Sequence, residues 1–314
     1  MRIAIIDCGT NTFNLLIVEL LDRKRYNKIY STRVAVKLGE DAINKGYIAP
    51  EPFDRGVEAI RIFTEKFIEY SVDKTLAFAT SAIRDASNGL AFVEAIFKEF
   101  NIEISIIDGN REAELIYFGI REAIELNDQI SLIMDIGGGS NEFIIANNKE
   151  IFWKQSFNIG AARILEKFKH SNPITEFEKK EIQNYLTKEL APLKIAAKKF
   201  TPKELLGSSG AFDSLVDMIH GELAGEPLTD SKTEYTLNIE QYHAISDLVK
   251  GSTLEKRKKI KGLLAIRFDM IVISCIMIDH ILNLLNIKKI RVSTYSLKEG
   301  ALAEFIHALG NKTV

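Results

Sequence analysis

The sequence predicts an α/β protein in which one arrangement occurs twice. Three observations predict it. An apolar run ending in aspartate, then glycine, then hydroxyl or amide residues, then a second apolar run appears in "IAIIDCGTNTFNLLIVEL" (3–20) and again in "LIMDIGGGSNEFII" (132–145). After each copy the pattern continues as strands first, then alternating helix and strand. The chain has 314 residues, 46% of them hydrophobic and 27% charged, an ordinary globular composition long enough for about two domains.

Taken in order, residues 2–38 read as three strands, "RIAIID", "FNLLIVEL" and "YNKIYSTRVAVKL", whose short turns suggest an antiparallel meander. A helix follows at about 52–70, with Ile60, Phe63, Phe67 and Ile68 on one face. Strands at 75–80 and 102–108 flank a helix near 90–100, and a helix at 110–125 leads out of the first half. The second half repeats the order, with strands at 130–136, 142–147 and 150–157 and helical segments from 160 to 199. A strand at 204–209, a helix at 211–220, helices at 239–249 and 263–286, a strand at 289–294 and a final helix complete the chain. The expected domains are 1–124, completed by the C-terminal helix 297–314, and 125–296. The most loop-like stretch is 224–233.

Some function classes lose ground at once. A net charge of −2 makes no case for nucleic acid or membrane binding as a bulk effect. The longest apolar run, "MIVISCIMI" (270–278), is too short to cross a bilayer and reads as a buried helix. Cys8 and Cys275 are far apart in apolar contexts, which fits a reducing cytoplasm and not a disulfide framework or a zinc site. "MRIAIID" enters a strand directly, so no signal peptide is expected.

The glycine turns carry chemistry. Glycine allows a ligand to approach the main chain closely, and a Gly-rich turn after a strand aims several N–H groups at one point, which suits phosphate. Asp7 and Asp135 would repel such an anion. They make sense if a divalent cation lies between, because Mg²⁺ is typically held by one or two carboxylates and phosphate oxygens. A plain glycine hairpin explains one copy alone, but less readily two copies 128 positions apart. Two similar domains, each with a phosphate turn facing a cleft, is the expectation.

Seven stretches carry a resemblance: "IDCGTNTFNLLI" (6–17), "ATSAIRDASNG" (79–89), "IDGNREAELIYFGI" (107–120), "LIMDIGGGSNEFII" (132–145), "SFNIGAARILEKF" (156–168), "LGSSGAFDSL" (206–215) and "STYSLKEGAL" (293–302). In these the chain resembles the exopolyphosphatase / guanosine pentaphosphate phosphatase family of the actin–Hsp70–sugar kinase superfamily. The resemblance implies two ribonuclease-H-like domains around a cleft and metal-dependent hydrolysis of a terminal phosphoanhydride. Two departures matter. Arg111 stands where the family often has the first of two acidic residues, and the C-terminal helical extension of long members is not seen.

The same resemblance implies the roles. Glu112 would act on the attacking water; on its own it is an acid in a first helical turn, favourable for the helix dipole. Asp7, Asp135 and Glu142 are the metal candidates, with Asp135 also counted as catalytic. Gly9, Thr10, Asn11, Gly137, Gly138, Gly139, Ser140 and Asn141 would bind phosphate. Arg84 offers a planar fork for phosphate oxygens, against a surface pair with Asp85. Gly207, Ser208 and Ser209 form a further small turn that would bind phosphate, and Arg267 and Arg257, at positions where the family often has Arg, are second-rank phosphate candidates. The run "EKRKKIKG" (255–262) and the Lys288, Lys289, Arg291 cluster are either solvated or guides for a polyanion. No histidine shows ligand spacing.

The leading expectation is therefore an exopolyphosphatase using Mg²⁺ or another divalent cation. The alternatives are a guanosine pentaphosphate 5′-phosphohydrolase, a sugar-kinase-type phosphotransferase, and a non-catalytic polyphosphate or nucleotide sensor. A homodimer would supply the groove that the absent extension would otherwise build.

Overall fold

The computed structural model describes residues 1–22, 25–224 and 232–311. The stretch 224–233 thus lies mostly outside the described residues. The chain divides into two compact units, Met1–Glu122 with the segment from Leu297 onward, and Ala123–Ser296.

The first unit opens with the meander β1 (Arg2–Cys8), β2 (Thr12–Leu20) and β3 (Tyr26–Ala35). Helix α1 (Pro50–Glu69), β4 (Lys74–Ala79), the short α2 (Ser81–Arg84), α3 (Gly89–Phe100), β5 (Ile104–Ile106) and α4 (Gly109–Ala123) follow. The sheet order is β3-β2-β1-β4-β5, antiparallel among the first three strands and parallel from β1 through β4 to β5. One face packs Ala4, Ile6 and Phe13 against Ile60, Phe63 and Phe92 of α1 and α3. Ile68 does not join them: it is 82% exposed, because it stands about 100° around the helix from Phe67. The expected strand 102–108 shrinks to three residues, since Ile107 already bonds to Ala79 O and the chain turns into α4.

The second unit begins with β6 (Ser131–Ile136), β7 (Asn141–Ala146) and β8 (Ile151–Phe157), then α5 (Ala161–Phe168), α6 (Glu176–Glu189) and α7 (Ala191–Phe200). After these come β9 (Leu205–Ser208), α8 (Ser209–Met218), β10 (Glu234–Leu237), α9 (Ile239–Lys250), α10 (Leu254–Arg257), α11 (Met270–Leu285) and β11 (Ile290–Ser293). The sheet order is β10-β11-β9-β6-β7-β8. Strands β6, β9 and β11 are parallel, so Asp135 and Ser208 reach the same sheet edge in register. Every residue of β6 and β7 is buried, as expected for strands covered on both faces. The helix expected at 263–286 is two pieces, a single 3₁₀ turn at Ala265–Arg267 and then α11, fully buried from Met270 to Ile278. Edge strand β10 had no counterpart in the sequence reading.

The last helix, α12 (Leu297–Asn311), returns to the first unit and packs on β1. It crosses α4 closely: a Cβ on Gly300 would fall 1.7 Å from Leu115 O. Arg111, the departure noted above, ion-pairs with Glu304 of α12 and, at 3.3 Å, with Glu114. Those acids raise the Arg111 pKa.

Candidate active site

Each unit places an aspartate at a strand tip, and the sheet register gives it a defined neighbour. Asp7 lies directly opposite Asn14 on β2, and Asp135 lies directly opposite Glu142 on β7. Directly opposed residues of an antiparallel pair share a face. In the first unit the carboxylate faces an amide: Asn14 Nδ2 donates to Asp7 Oδ2 at 3.0 Å. In the second unit the pair is two carboxylates. Glu142 is buried and its Oε1 accepts from Ser156 Oγ of β8 at 2.6 Å.

Asp135, 5% exposed, is held by three hydroxyls from two chain segments. Ser208 at the end of β9 and Ser296 just before α12 both donate to Oδ2, at 2.5 and 2.7 Å. Ser209, the first residue of α8, donates to Oδ1 at 2.6 Å. Ser209 does so from the left-handed region, with φ of 72°, a conformation that costs a non-glycine residue of order 1 kcal/mol or more. These bonds revise the reading of 207–209. Ser208 and Ser209 spend their protons on Asp135, so the carboxylate is their partner and not phosphate. Gly207 sits inside β9, where the ring of Phe212 fills the place of a Cβ at 2.1 Å; it is a packing glycine.

Three hydroxyls occupy both lone-pair directions of Asp135 Oδ2 and one of Oδ1. One direction is left, which fits a cation that touches a single carboxylate oxygen or a bridging water and takes its remaining ligands from phosphate and solvent, the habit of Mg²⁺. It does not fit an all-protein cage. No group of three or more acidic, His or Cys side chains among the described residues has such an arrangement either.

The glycine turn of the second unit is built from behind by α5. Ala161 N–H donates to Gly137 O at 2.9 Å, Ala162 and Arg163 N–H to Gly138 O at 2.9 and 3.2 Å, and Gly160 N–H to Gly139 O at 3.2 Å. Arg163 Nε adds a bond to Gly139 O at 2.9 Å. In a planar trans peptide the N–H points opposite to the C=O. With the carbonyls of 137, 138 and 139 turned toward α5, the N–H groups of Gly138, Gly139 and Ser140 therefore turn the other way. In the first unit the turn is held more lightly: Asn11 O accepts from Val36 and Lys37 N–H at 2.9 and 3.0 Å, and Gly9 N–H bonds Thr12 O at 3.1 Å. Thr10 and Ser140 are buried in these turns. Asn141 is a correction. Its side chain is wholly buried, with its Nδ2 3.9 Å from Met277 Sδ of α11 and its Oδ1 without a hydrogen-bond partner among the described residues, so it does not line the outer face of the turn.

Glu112 sits in the first turn of α4, buried, with Arg84 Nη1 at 2.8 Å from its Oε2. Arg84 comes from α2, which the sequence reading did not foresee, and also reaches Asp85 at 3.3 Å and the Ile107 carbonyl at 3.3 Å. The surface partner Asp85 is present, but the closer partner is Glu112. Arg267 ends the 3₁₀ turn before α11, and its guanidinium lies against the start of α8: a Cβ on Gly210 would fall 1.6 Å from Nη2.

The polyanion guides fare differently. Arg257 points inward, 3% exposed, and donates to Phe268 O, Ser252 O and Asn172 Oδ1; burial lowers its pKa. Lys289 and Arg291 pair with buried Glu204, and Arg291 also with Glu234. Arg257 and Arg291 are structural here, whereas Lys256, Lys258, Lys259, Lys261, Lys288 and Lys289 stay exposed. Cys8, next to Asp7, is no nucleophile: burial and then the Asp7 charge push its thiol well above the usual range.

Sequence reasoning missed Asn14, Ser156, Gly160, Arg163 and Ser296. The motif "SFNIGAARILEKF" was visible, but not that its main chain caps the glycine turn.

Comparison with known proteins adds a lineage. The model of the Ppx/GppA phosphatase family matches residues 17–309. A crystal structure of an exopolyphosphatase from Cytophaga hutchinsonii superimposes with a TM-score of 0.95 at 39% identity, covering 98% of each chain. The Ppx/GppA family member of Aquifex aeolicus shares the fold at 22% identity, TM-score 0.79, over 100% of this chain and 99% of that one. Exopolyphosphatase 1 of Mycobacterium tuberculosis is 25% identical over 96% of this chain and 87% of its own length. A bifunctional 3-dehydroquinate synthase/phosphatase of Fusobacterium nucleatum is 29% identical; the chain spans 96% of itself but 46% of that relative.

Proposed function

Since the chain belongs to the Ppx/GppA phosphatase family, we propose that it is an exopolyphosphatase, releasing terminal phosphate from inorganic polyphosphate. The observation that carries this reading is the glycine turn of the second unit, whose three successive N–H groups are turned one way by bonds on their carbonyls. Such a nest suits a phosphoryl group with charge on several oxygens. The 39% identity to an exopolyphosphatase over nearly the whole chain favours polyphosphate over guanosine pentaphosphate as substrate.

In this reading Gly138, Gly139 and Ser140 bind the terminal phosphoryl through their N–H groups. Glu112, oriented by Arg84, accepts a hydrogen bond from the attacking water and takes its proton. The new P–O bond forms as the bond to the bridging oxygen breaks, and the shortened chain leaves with that oxygen's electron pair. Asp135 would hold a divalent cation through one carboxylate oxygen or a bridging water, Mg²⁺ by the chemistry of the donors, with Glu142 supporting it across the strand pair; Asp7 is the corresponding candidate of the first unit. The cation would neutralise charge on the phosphate oxygens. The three hydroxyls keep Asp135 from rotating away.

The test is phosphate release from polyphosphates of several lengths and from guanosine pentaphosphate, with Mg²⁺ and with excess chelator. Release from polyphosphate that chelation abolishes is expected. Release from guanosine pentaphosphate alone would move the substrate assignment, and full activity in chelator would remove the cation. Size exclusion in the same buffer tests the homodimer.

A further inference from the structure

We propose that Arg163 is a positioning residue for phosphate binding, acting with the N-terminus of α5 through the carbonyls of the glycine turn. The inference rests on the reading of that turn as the phosphate cradle.

A helix begins with N–H groups that have no partner inside the helix, and these are usually capped by a side chain. Helix α5 has none: its N-cap is Gly160, which offers no side chain. The N–H groups of residues 160–163 go instead to three consecutive carbonyls, those of Gly137, Gly138 and Gly139. The turn is the cap. Because four donors converge on three acceptors, the turn has no freedom to flip a peptide and redirect an N–H.

The closeness requires glycine on the helix side too. A Cβ on Gly160 would lie 2.4 Å from both the carbonyl carbon and oxygen of Gly138, which are main-chain atoms that cannot step aside. Arg163 completes the clamp. Its main-chain N–H takes Gly138 O and its Nε takes Gly139 O, so one residue fixes two adjacent peptides. The second of these peptides carries the Ser140 N–H.

The arrangement also aligns charge. The N-terminus of a helix is its positive end. Each clamped peptide has its carbonyl toward that end and its N–H away from it. The three peptide dipoles therefore extend the field of α5 to the far side of the turn, where an anion is bound. Arg163 adds a full positive charge behind the same peptides. In the first unit the Asn11 carbonyl is held by the N–H groups of Val36 and Lys37, which follow β3 and begin no helix among the described residues.

The experiment compares wild type with Arg163→Met, Arg163→Gln and Arg163→Lys. The readouts are tripolyphosphate affinity by calorimetry, kcat and KM for phosphate release, and melting temperature. The proposal expects tripolyphosphate affinity to fall tenfold or more in the Met variant, KM to rise accordingly, and Gln to restore much of the loss because it keeps an N–H donor without the charge. A Gln variant as weak as Met, with Lys near wild type, would show that charge alone acts and would overturn the clamp. A lowered melting temperature with unchanged affinity and KM would reduce Arg163 to a structural residue and overturn it too. If the wild type binds tripolyphosphate but releases no phosphate, the hydrolase reading fails while the affinity series still decides the role of Arg163. Absence of tripolyphosphate binding by the wild type would overturn the proposal itself.

Discussion

Removing the guanidinium of Arg84 should expose how Glu112 is held. The two side chains are 16% and 10% exposed and meet at 2.8 Å, so the pair is largely withdrawn from solvent. Taking away one partner of a buried pair leaves an uncompensated charge, at a cost of about 3–5 kcal/mol. Arg84→Ala also strips donors from Asp85 and the Ile107 carbonyl, which places the expectation at the upper part of that range. Glu112→Gln is different. The amide oxygen still accepts from Nη1, the volume is unchanged and Asp85 still pairs with Arg84 at 3.3 Å, so its cost should stay well below that of Arg84→Ala. Its activity should nonetheless fall about 10²–10⁴-fold, the usual loss of a general base. The double variant has no buried carboxylate to strand. It should therefore be more stable than Arg84→Ala alone, a sign that simple additivity forbids. The single tryptophan, Trp153 on β8, reports on the other unit, so urea unfolding is followed by amide exchange in α4, with tryptophan fluorescence as the control. A double variant less stable than the Arg84 single, or an Arg84→Ala cost below about 1 kcal/mol, would refute the claim that this pair fixes Glu112.

Three further outcomes are expected. Gly160→Ala should weaken tripolyphosphate binding at least tenfold with the circular dichroism preserved, because the added Cβ must displace the Gly138 peptide; calorimetry checks this. Arg257→Ala should cost at least about 2 kcal/mol, since three acceptors lose their donor, while the salt dependence of polyphosphate binding stays at its wild-type slope; a shallower slope would return Arg257 to the polyanion surface. Neither cysteine should react with a thiol reagent at pH 8 before unfolding. Burial pushes the Cys275 thiol up to about 12, so its contribution to stability is intact below the ordinary thiol range near 8.5 and is lost as pH rises toward about 12; labelling and alkaline unfolding curves check both statements.

Much of this was readable in the chain, and what was not has physical reasons. The hairpins announced themselves because a charge and glycines interrupt buried strands, a local pattern. The aspartates and their turns followed from it. Asp135's three hydroxyls come from positions 208, 209 and 296, and no local pattern links them to residue 135. The role of Gly207 was misread because a glycine that makes room for Phe212 looks, in sequence, like a glycine that turns the chain. Arg257 was read as surface because it lies in a basic run, yet main-chain carbonyls satisfy it inside. Ile68 failed for a smaller reason: it is a step of about 100° around the helix beyond Phe67, which here carries it past the edge of the buried stripe. The clamp on the glycine turn was least legible, since most of its donors are main-chain N–H groups, which every residue but proline has.

A cradle that doubles as a helix cap ties recognition to fraying. Helix α5 has eight residues, too few to persist by its own propensity, so it is marginal without tertiary support. If its first turn unwinds, the carbonyls of 137–139 lose their donors together and the peptides are released to reorient. Affinity for the anion would then vanish in one step and not erode gradually. On heating, the protein should stop recognising phosphate chains below the temperature at which either unit melts. Saturating polyphosphate should delay that loss, because an anion seated on the turn opposes the unwinding of the helix behind it.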